Sequence, residues 1–208
     1  MKKTISITLL LMLSFFSAQK TKFYTFDKEI IYTFEALAKK TDTSIFINSD
    51  DDSYFLRVYS GIAGSTAKIF DWKNKQIHIF NLSKNPKKGE NYYDFHFNKT
   101  TNLSASSTIK KDKISIEDLS NENNKKIVIY TSKRKKRIDR EVTFSTVTSD
   151  KNLFFAFRYI ALHPYEQATN IDINDKAIVE KAIVKNAKLL CNYKLKTINP
   201  VSLDLKTN

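Results

Sequence analysis

The chain has 208 residues, of which 27% are charged and 41% hydrophobic, with fifteen Phe and ten Tyr. That much apolar and aromatic surface can build a core, which excludes an intrinsically disordered protein. Only three Gly and three Pro occur, so collagen-like and Gly-rich low-complexity proteins are excluded as well. The formal net charge of +13 at pH 7 favours anionic partners.

The first nineteen residues have the pattern of a secretory signal peptide. Lys2 and Lys3 precede an apolar run over residues 5–16, and small residues at Ser17 and Ala18 follow it. The run is too short to cross a bilayer, which takes about 20 apolar residues. The sequence therefore predicts a signal peptide at 1–19, cleaved near Gln19, and a single β-rich domain at 20–208. An uncleaved membrane anchor is the alternative.

The predicted leader also indicates where the mature protein resides. No cysteine ends the apolar run, so we expect a soluble protein of the periplasm or cell exterior, neither a lipoprotein nor a protein with a transmembrane segment. Removal of Lys2 and Lys3 leaves a net charge of +11. For an exported protein, lipid headgroups and acidic polysaccharide are more available partners than nucleic acid.

Most of the chain shows the alternation of apolar and polar residues that is typical of β-strands, with many β-branched and aromatic positions. We predict a mainly β protein with an antiparallel sheet, curved or partly closed. Turns are predicted at 50–53 and 71–75, and loops at 99–113 and 117–124. The predicted strands are 23–26, 30–37, 44–48, 54–59, 66–71, 76–81, 92–98, 114–116, 127–130, 141–147, 177–184, 187–194 and 200–205.

One segment in the C-terminal half favours a helix. Residues 152–162 have apolar side chains at helical spacing, with Asp150 as the predicted N-cap. Both sides of this helix are apolar, so we expect it to pack on the sheet. Phe154, Phe157 and Ile160 are the predicted apolar ligand-binding residues on it. A fully buried strand fits the same residues, and periodicity leaves that alternative open.

No recognised catalytic or metal-binding motif occurs in the sequence, so we assign no catalytic residue, metal ligand or cofactor. His78 alternates with Ile77 and Ile79, and His96 with Phe95 and Phe97, so both histidines are predicted on the solvated side of half-buried strands. Cys191, the single cysteine, is predicted to be a buried core residue. A hydrolase assembled from distant residues remains open.

A basic run lies between the predicted strands 127–130 and 138–146. It consists of Lys133, Arg134, Lys135, Lys136 and Arg137. Such a run at a hairpin tip would bind phosphates or carboxylates of anionic polymers or lipid headgroups. The simpler interpretation is a solvated turn.

Two stretches near the C-terminus, residues 178–182 (Ile-Val-Glu-Lys-Ala) and 192–198 (Asn-Tyr-Lys-Leu-Lys-Thr-Ile), together with the leader and the Asn/Lys-rich composition, resemble secreted β-rich proteins of Bacteroidetes, including the GLPGLI family. The Gly-Leu-Pro-Gly-Leu-Ile motif itself is absent, and residues 173–178 (Ile-Asn-Asp-Lys-Ala-Ile) stand in its place. The resemblance implies an exported antiparallel β protein and no catalytic residues.

Two functional hypotheses follow. The first is a noncatalytic binding or carrier protein in which the sheet and helix enclose an apolar ligand such as an acyl chain, a plan that resembles LolA-like lipoprotein carriers. The second is a surface interaction module that binds anionic polymer or headgroups through the basic hairpin.

Overall fold

A computed structural model describes the backbone over most of the chain. The described residues are 21–37, 39–61, 64–85, 93–103, 114–119, 124–131, 134, 137–162, 171–173, 175–186 and 189–207. The predicted signal peptide lies outside these ranges.

The described residues form eleven strands and one helix. The strands are β1 (Lys22–Ala36), β2 (Lys39–Asn48), β3 (Asp51–Gly61), β4 (Gly64–Asp71), β5 (Gln76–Lys84), β6 (Tyr93–Asn102), β7 (Ile114–Asp118), β8 (Asn124–Tyr130), β9 (Ile138–Thr148), β10 (Ala177–Asn186) and β11 (Leu190–Thr207), and the helix is α1 (Phe154–Ala161).

All eleven strands belong to one antiparallel sheet in the order β6-β5-β4-β3-β2-β1-β11-β10-β9-β8-β7. The first and last strands pair at its centre, from Lys22 opposite Thr207 to Glu35 opposite Asn192. On either side of this pair, strands that follow one another in sequence lie side by side. The sheet is not closed, because β6 and β7 are its two edges. The prediction of a mainly β fold with an antiparallel sheet is confirmed.

The sheet carries a core on each face. The helix core contains Ile30 and Phe55 and packs against α1, whereas the second core contains Phe26 and Leu56. Phe55 and Leu56 are neighbours on β3, where successive side chains point to opposite faces. Strand β1 serves both cores because its ladder with β11 has a register shift between Phe26 and Lys28.

This register shift explains one error in the predicted strands. The polar stretch around Asp27 suggested a break between strands at 23–26 and 30–37, but β1 runs through it without interruption. The predicted strands 187–194 and 200–205 are likewise one strand, β11. Pro200 lies opposite Lys28 at the same register shift, where a missing backbone N–H is tolerated.

The predicted loops and turns also need correction where polar residues belong to strands. Residues 99–102 extend β6, residues 117–118 extend β7, and residue 124 begins β8. Residues 51–53 belong to β3 rather than to a turn. The turn at 72–75 is confirmed. In each correction the ladder of backbone hydrogen bonds outweighs the weak strand preference of Asp, Asn and Lys.

Helix α1 confirms the predicted helix in place of the alternative strand. Asp150 is not its N-cap, since its carboxylate accepts a hydrogen bond from Ser149 instead. The side-chain oxygen of Asn152 accepts from the amide of Phe154 at 3.0 Å and binds one of the free N–H groups of the first turn. No helix in the described ranges has the length and apolar character needed to cross a membrane.

Phe157 is a direct test of the helix core. It is fully buried, so replacement by Ala should lower the free energy of unfolding by about 3–5 kcal/mol. Phe23 is 76% exposed, and Phe23→Ala should change it by less than about 0.5 kcal/mol. Urea denaturation of both variants measures the difference. Similar small losses in the two variants would contradict the packing of α1 on the sheet.

Candidate functional site

The candidate site is the face of the sheet that α1 covers. The helix packs against β10 and β2, and it therefore spans β1 and β11, which lie between those strands. Every residue from Phe154 to Ile160 is buried. Apart from Arg158, these side chains are apolar or aromatic, so dispersion and the hydrophobic effect hold the helix in place.

Phe157 lies at the centre of this contact. Its ring centroid is 5.9 Å from that of Tyr32 on β1, 6.2 Å from that of Phe144 on β9 and 5.8 Å from that of Tyr193 on β11. Burial raises the pKa of the Tyr193 hydroxyl to about 12. The aromatic side chains thus form a continuous apolar layer between helix and sheet.

A polar cluster fixes one side of the helix. Arg158 is buried, and its guanidinium donates to the carbonyl of Ile171 at 3.2 Å and to the Tyr159 hydroxyl at 3.2 Å. The Tyr159 hydroxyl donates to the backbone carbonyl of Asp52, whose carboxylate lies 3.6 Å from Arg158. Arg158, Tyr159, Asp52 and Ile171 are called the Arg158 cluster below. It joins α1 to the start of β3.

The structure places the three predicted apolar ligand-binding residues together on this interface. Phe154 and Phe157 are fully buried and Ile160 is 8% exposed, all within the helix core. The space beneath the helix is filled by these side chains. A ligand there would have to lift the helix from the sheet.

A separate open groove of about 880 Å³ lies on the opposite face of β2, β1, β11 and β10. Four lysines line it together with Glu35 and Asp42, and Asp42 pairs with Lys196. The predicted ligand-binding residues do not line this groove. The four lysines are Lys40, Lys181, Lys194 and Lys196.

The strands that flank the predicted basic run form a hairpin. Strands β8 and β9 pair, and the amide of Thr131 donates to the carbonyl of Arg137 at 3.0 Å. Arg134 and Arg137 are exposed. Lys133, Lys135 and Lys136 lie outside the described residues.

Sequence reasoning missed a buried polar network in the second core. His78 was expected on the solvated side of its strand, but it is 1% exposed. Its Nε2 lies 2.7 Å from the Tyr24 hydroxyl and its Nδ1 2.8 Å from the Thr100 hydroxyl, and Tyr24 donates to Asp71 at 2.6 Å. The prediction assigned the wrong face of β5 to the core. His78 lies on the same face as Phe80, which belongs to the second core, whereas Ile77 and Ile79 lie on the other face.

The protons in this network can be assigned from the chemistry of its members. Burial alone would raise the pKa of Asp71, but hydrogen bonds from Tyr24 and Asn74 outweigh it and hold that pKa below its usual value. A carboxylate only accepts, so the Tyr24 hydroxyl gives its proton to Asp71 and accepts from His78 Nε2. His78 Nδ1 then accepts from Thr100.

His96 and Cys191 have the environments predicted for them. His96 is exposed and lies 3.0 Å from the Ser83 hydroxyl. Cys191 is buried, and burial raises the pKa of its thiol. Within the described ranges, no three His, Cys, Asp or Glu side chains are placed to hold a metal ion.

No family model and no curated protein matches the chain. One solved structure that it resembles is the crystal structure of a DUF1329 family protein from Desulfovibrio piger, at 8% identity over 93% of this chain and 90% of that chain, with a TM-score of 0.25. A TM-score this low does not assign a shared fold. The geometry alone therefore carries the functional proposal.

The His78 network predicts acid sensitivity. Burial, with a smaller contribution from the Lys22 ammonium, lowers the pKa of His78 from 6.5 to about 4 despite the nearby Asp71. The unfolded chain therefore binds more protons below pH 6.5, and the free energy of unfolding should fall by about 3 kcal/mol between pH 6.5 and 4. The pKa of Asp71 is held below its usual value by hydrogen bonds from Tyr24 and Asn74, so loss of its contribution is expected at lower pH than that of His78.

Urea denaturation across this pH range, on wild type, His78→Asn and His96→Asn, measures the contribution. The His78→Asn variant should lose most of the pH dependence. The His96→Asn variant, changed at an exposed position, should keep it. An unaltered slope in His78→Asn would show that other groups cause the acid sensitivity.

Proposed function

We propose that the protein is an exported, noncatalytic binding or carrier protein that takes up an apolar chain between α1 and the sheet. The observation that carries the proposal is the helix itself. Seven consecutive residues of α1, from Phe154 to Ile160, are buried against one face of a sheet that is not closed.

An apolar chain is the ligand that fits this interface best. Contacts of α1 with the sheet are mainly aromatic and aliphatic, and such contacts are non-directional. An acyl or alkyl chain provides equivalent contacts with the same surface. A polar ligand would leave the aromatic layer around Phe157 without comparable partners.

The helix is suited to act as a displaceable cover. An isolated helix of eight residues is not stable in water, so packing holds α1 in place. The Arg158 cluster fixes the helix to Asp52 and Ile171 through directional bonds. If the apolar contacts break while the Arg158 cluster stays formed, the helix would turn away from the sheet and remain attached at the Arg158 cluster.

A noncatalytic role is supported by the position of the groups with acid–base chemistry. His78, Asp71 and Tyr24 satisfy one another inside the second core, on the face opposite α1. Both His78 and Asp71 are nearly inaccessible to solvent. Their arrangement suits a structural polar cluster, since a substrate would need to reach the imidazole.

Truncation of Phe157 tests the proposal. Phe157 competes with the ligand for the space beneath α1, so Phe157→Ala should make the uncovered state more populated and strengthen binding by about tenfold or more. The ligand is an uncharged long-chain alcohol that carries an environment-sensitive fluorophore. Fluorescence titration of the folded protein gives the dissociation constant.

The matched control is Phe80→Ala, which removes an equally buried ring from the second core. It should leave the dissociation constant within about twofold of wild type, although it also destabilises the fold. Failure of the wild-type protein to bind the alcohol, or equal effects of the two substitutions, would contradict the proposal.

A further inference from the structure

Three hairpins meet at one end of the sheet, called the hairpin end below. They connect β1 to β2, β10 to β11 and β8 to β9, and the described ends of these strands locate them. Their adjacency follows from the register, in which Glu35 lies opposite Asn192, Lys185 opposite Leu190, and Asn186 opposite Arg140. The first residue of β1, Lys22, and the last residue of β11, Thr207, lie at the other end of these two strands.

Three exposed aliphatic side chains lie at the hairpin end. Leu37 is 81% exposed, Leu190 53% and Ile138 49%. Leu37 comes two residues after Glu35 and Leu190 two residues before Asn192, so the two leucines end neighbouring strands. Single exposed aliphatic residues are ordinary, but a group of them on adjacent hairpins marks an interaction surface.

The backbone at Leu37 strengthens this inference. Leu37 has a φ of +48°, in the left-handed region that Gly and Asn adopt more readily than Leu. Its side chain is almost fully exposed, so packing does not compensate for the strained backbone. Folding therefore gives no reason for a leucine at this position.

Exposed basic residues lie at the hairpin end together with the three aliphatic residues. Lys39, Lys40, Lys185, Arg134 and Arg137 are exposed at the same end. Among the described residues none of these five is within ion-pair distance of an acidic side chain, although Lys40 contributes to the lowered pKa of Asp42 and Lys185 to that of Glu141. Glu35, Asp42 and Asp139 are exposed acidic residues of these hairpins, and Asp42 forms an ion pair with Lys196. The five cations therefore outnumber the acidic residues, and the hairpin end carries a net positive charge.

We propose that the hairpin end docks on an anionic lipid bilayer. Leu37, Leu190 and Ile138 enter the boundary between headgroups and acyl chains, and the Lys and Arg side chains contact lipid phosphates. Charge complementarity selects the anionic surface. An acidic polysaccharide would use the cations but would leave the strained, exposed Leu37 unexplained. The inference does not depend on the proposed binding of an apolar chain.

Flotation of the folded protein with lipid vesicles tests the docking surface. Wild type should bind mixed vesicles of phosphatidylcholine and phosphatidylglycerol more tightly than vesicles of phosphatidylcholine alone. Leu37→Asn with Leu190→Ser should weaken binding to the mixed vesicles about tenfold or more. Arg134→Gln and Arg137→Gln should each weaken it about fivefold and reduce its dependence on salt.

Two control measurements separate loss of the docking surface from loss of stability and from a general loss of exposed apolar residues. Leu37→Asn alone should leave the melting temperature unchanged or raise it, because Asn suits a positive φ. Phe23→Ser removes an aromatic residue that is 76% exposed at the opposite end of β1, and it should change vesicle binding by less than about twofold. Absence of vesicle binding would overturn the proposal. Binding that is unchanged by the leucine substitutions would also overturn it, because such binding would depend on charge alone, as binding to any anionic polymer does.

Discussion

The pairing of β1 with β11 is the constraint on which the rest of the structure depends. It brings residues 22–35 against residues 192–207 and so pairs the first strand with the last. Each of these strands also begins a series of antiparallel neighbours, β1 through β6 on one side and β11 back through β7 on the other. Without this central ladder the chain would form two smaller sheets, each with an additional exposed edge.

The central ladder also determines which residues face α1. The register shift at Asp27 turns β1 so that Phe26 enters the second core and Ile30 enters the helix core. One strand thereby connects the two cores through its backbone. We propose that the ligand binds at the helix core, whereas the second core, with its His78 network, stabilises the sheet.

Several features of the fold were predictable from sequence because they depend on local pattern. Period-two alternation located strands such as β4 and β8, and the apolar spacing in residues 152–162 indicated α1. His78 was missed because Ile77 and Ile79 gave β5 a plausible apolar face. Only its partners Tyr24, Asp71 and Thr100, which come from three other strands, reveal the opposite orientation.

The candidate site was predictable in part. Phe154, Phe157 and Ile160 were identified by their spacing, and the structure brings them together under one helix. The Arg158 cluster was not predictable, since it depends on a carbonyl at Ile171 and a carboxylate at Asp52. The hairpin end was predictable only at Arg134 and Arg137. Leu37 and Leu190 become neighbours through the central ladder, which no local pattern shows.

The most direct test of the central claim is native mass spectrometry, with lipid extraction, of the protein purified from the exported fraction of its own host. Our account predicts a copurifying apolar molecule that is present in the native mass and lost on denaturation. A native mass equal to that of the bare chain, together with an extract free of lipid, would contradict the claim that α1 covers a site for an apolar chain.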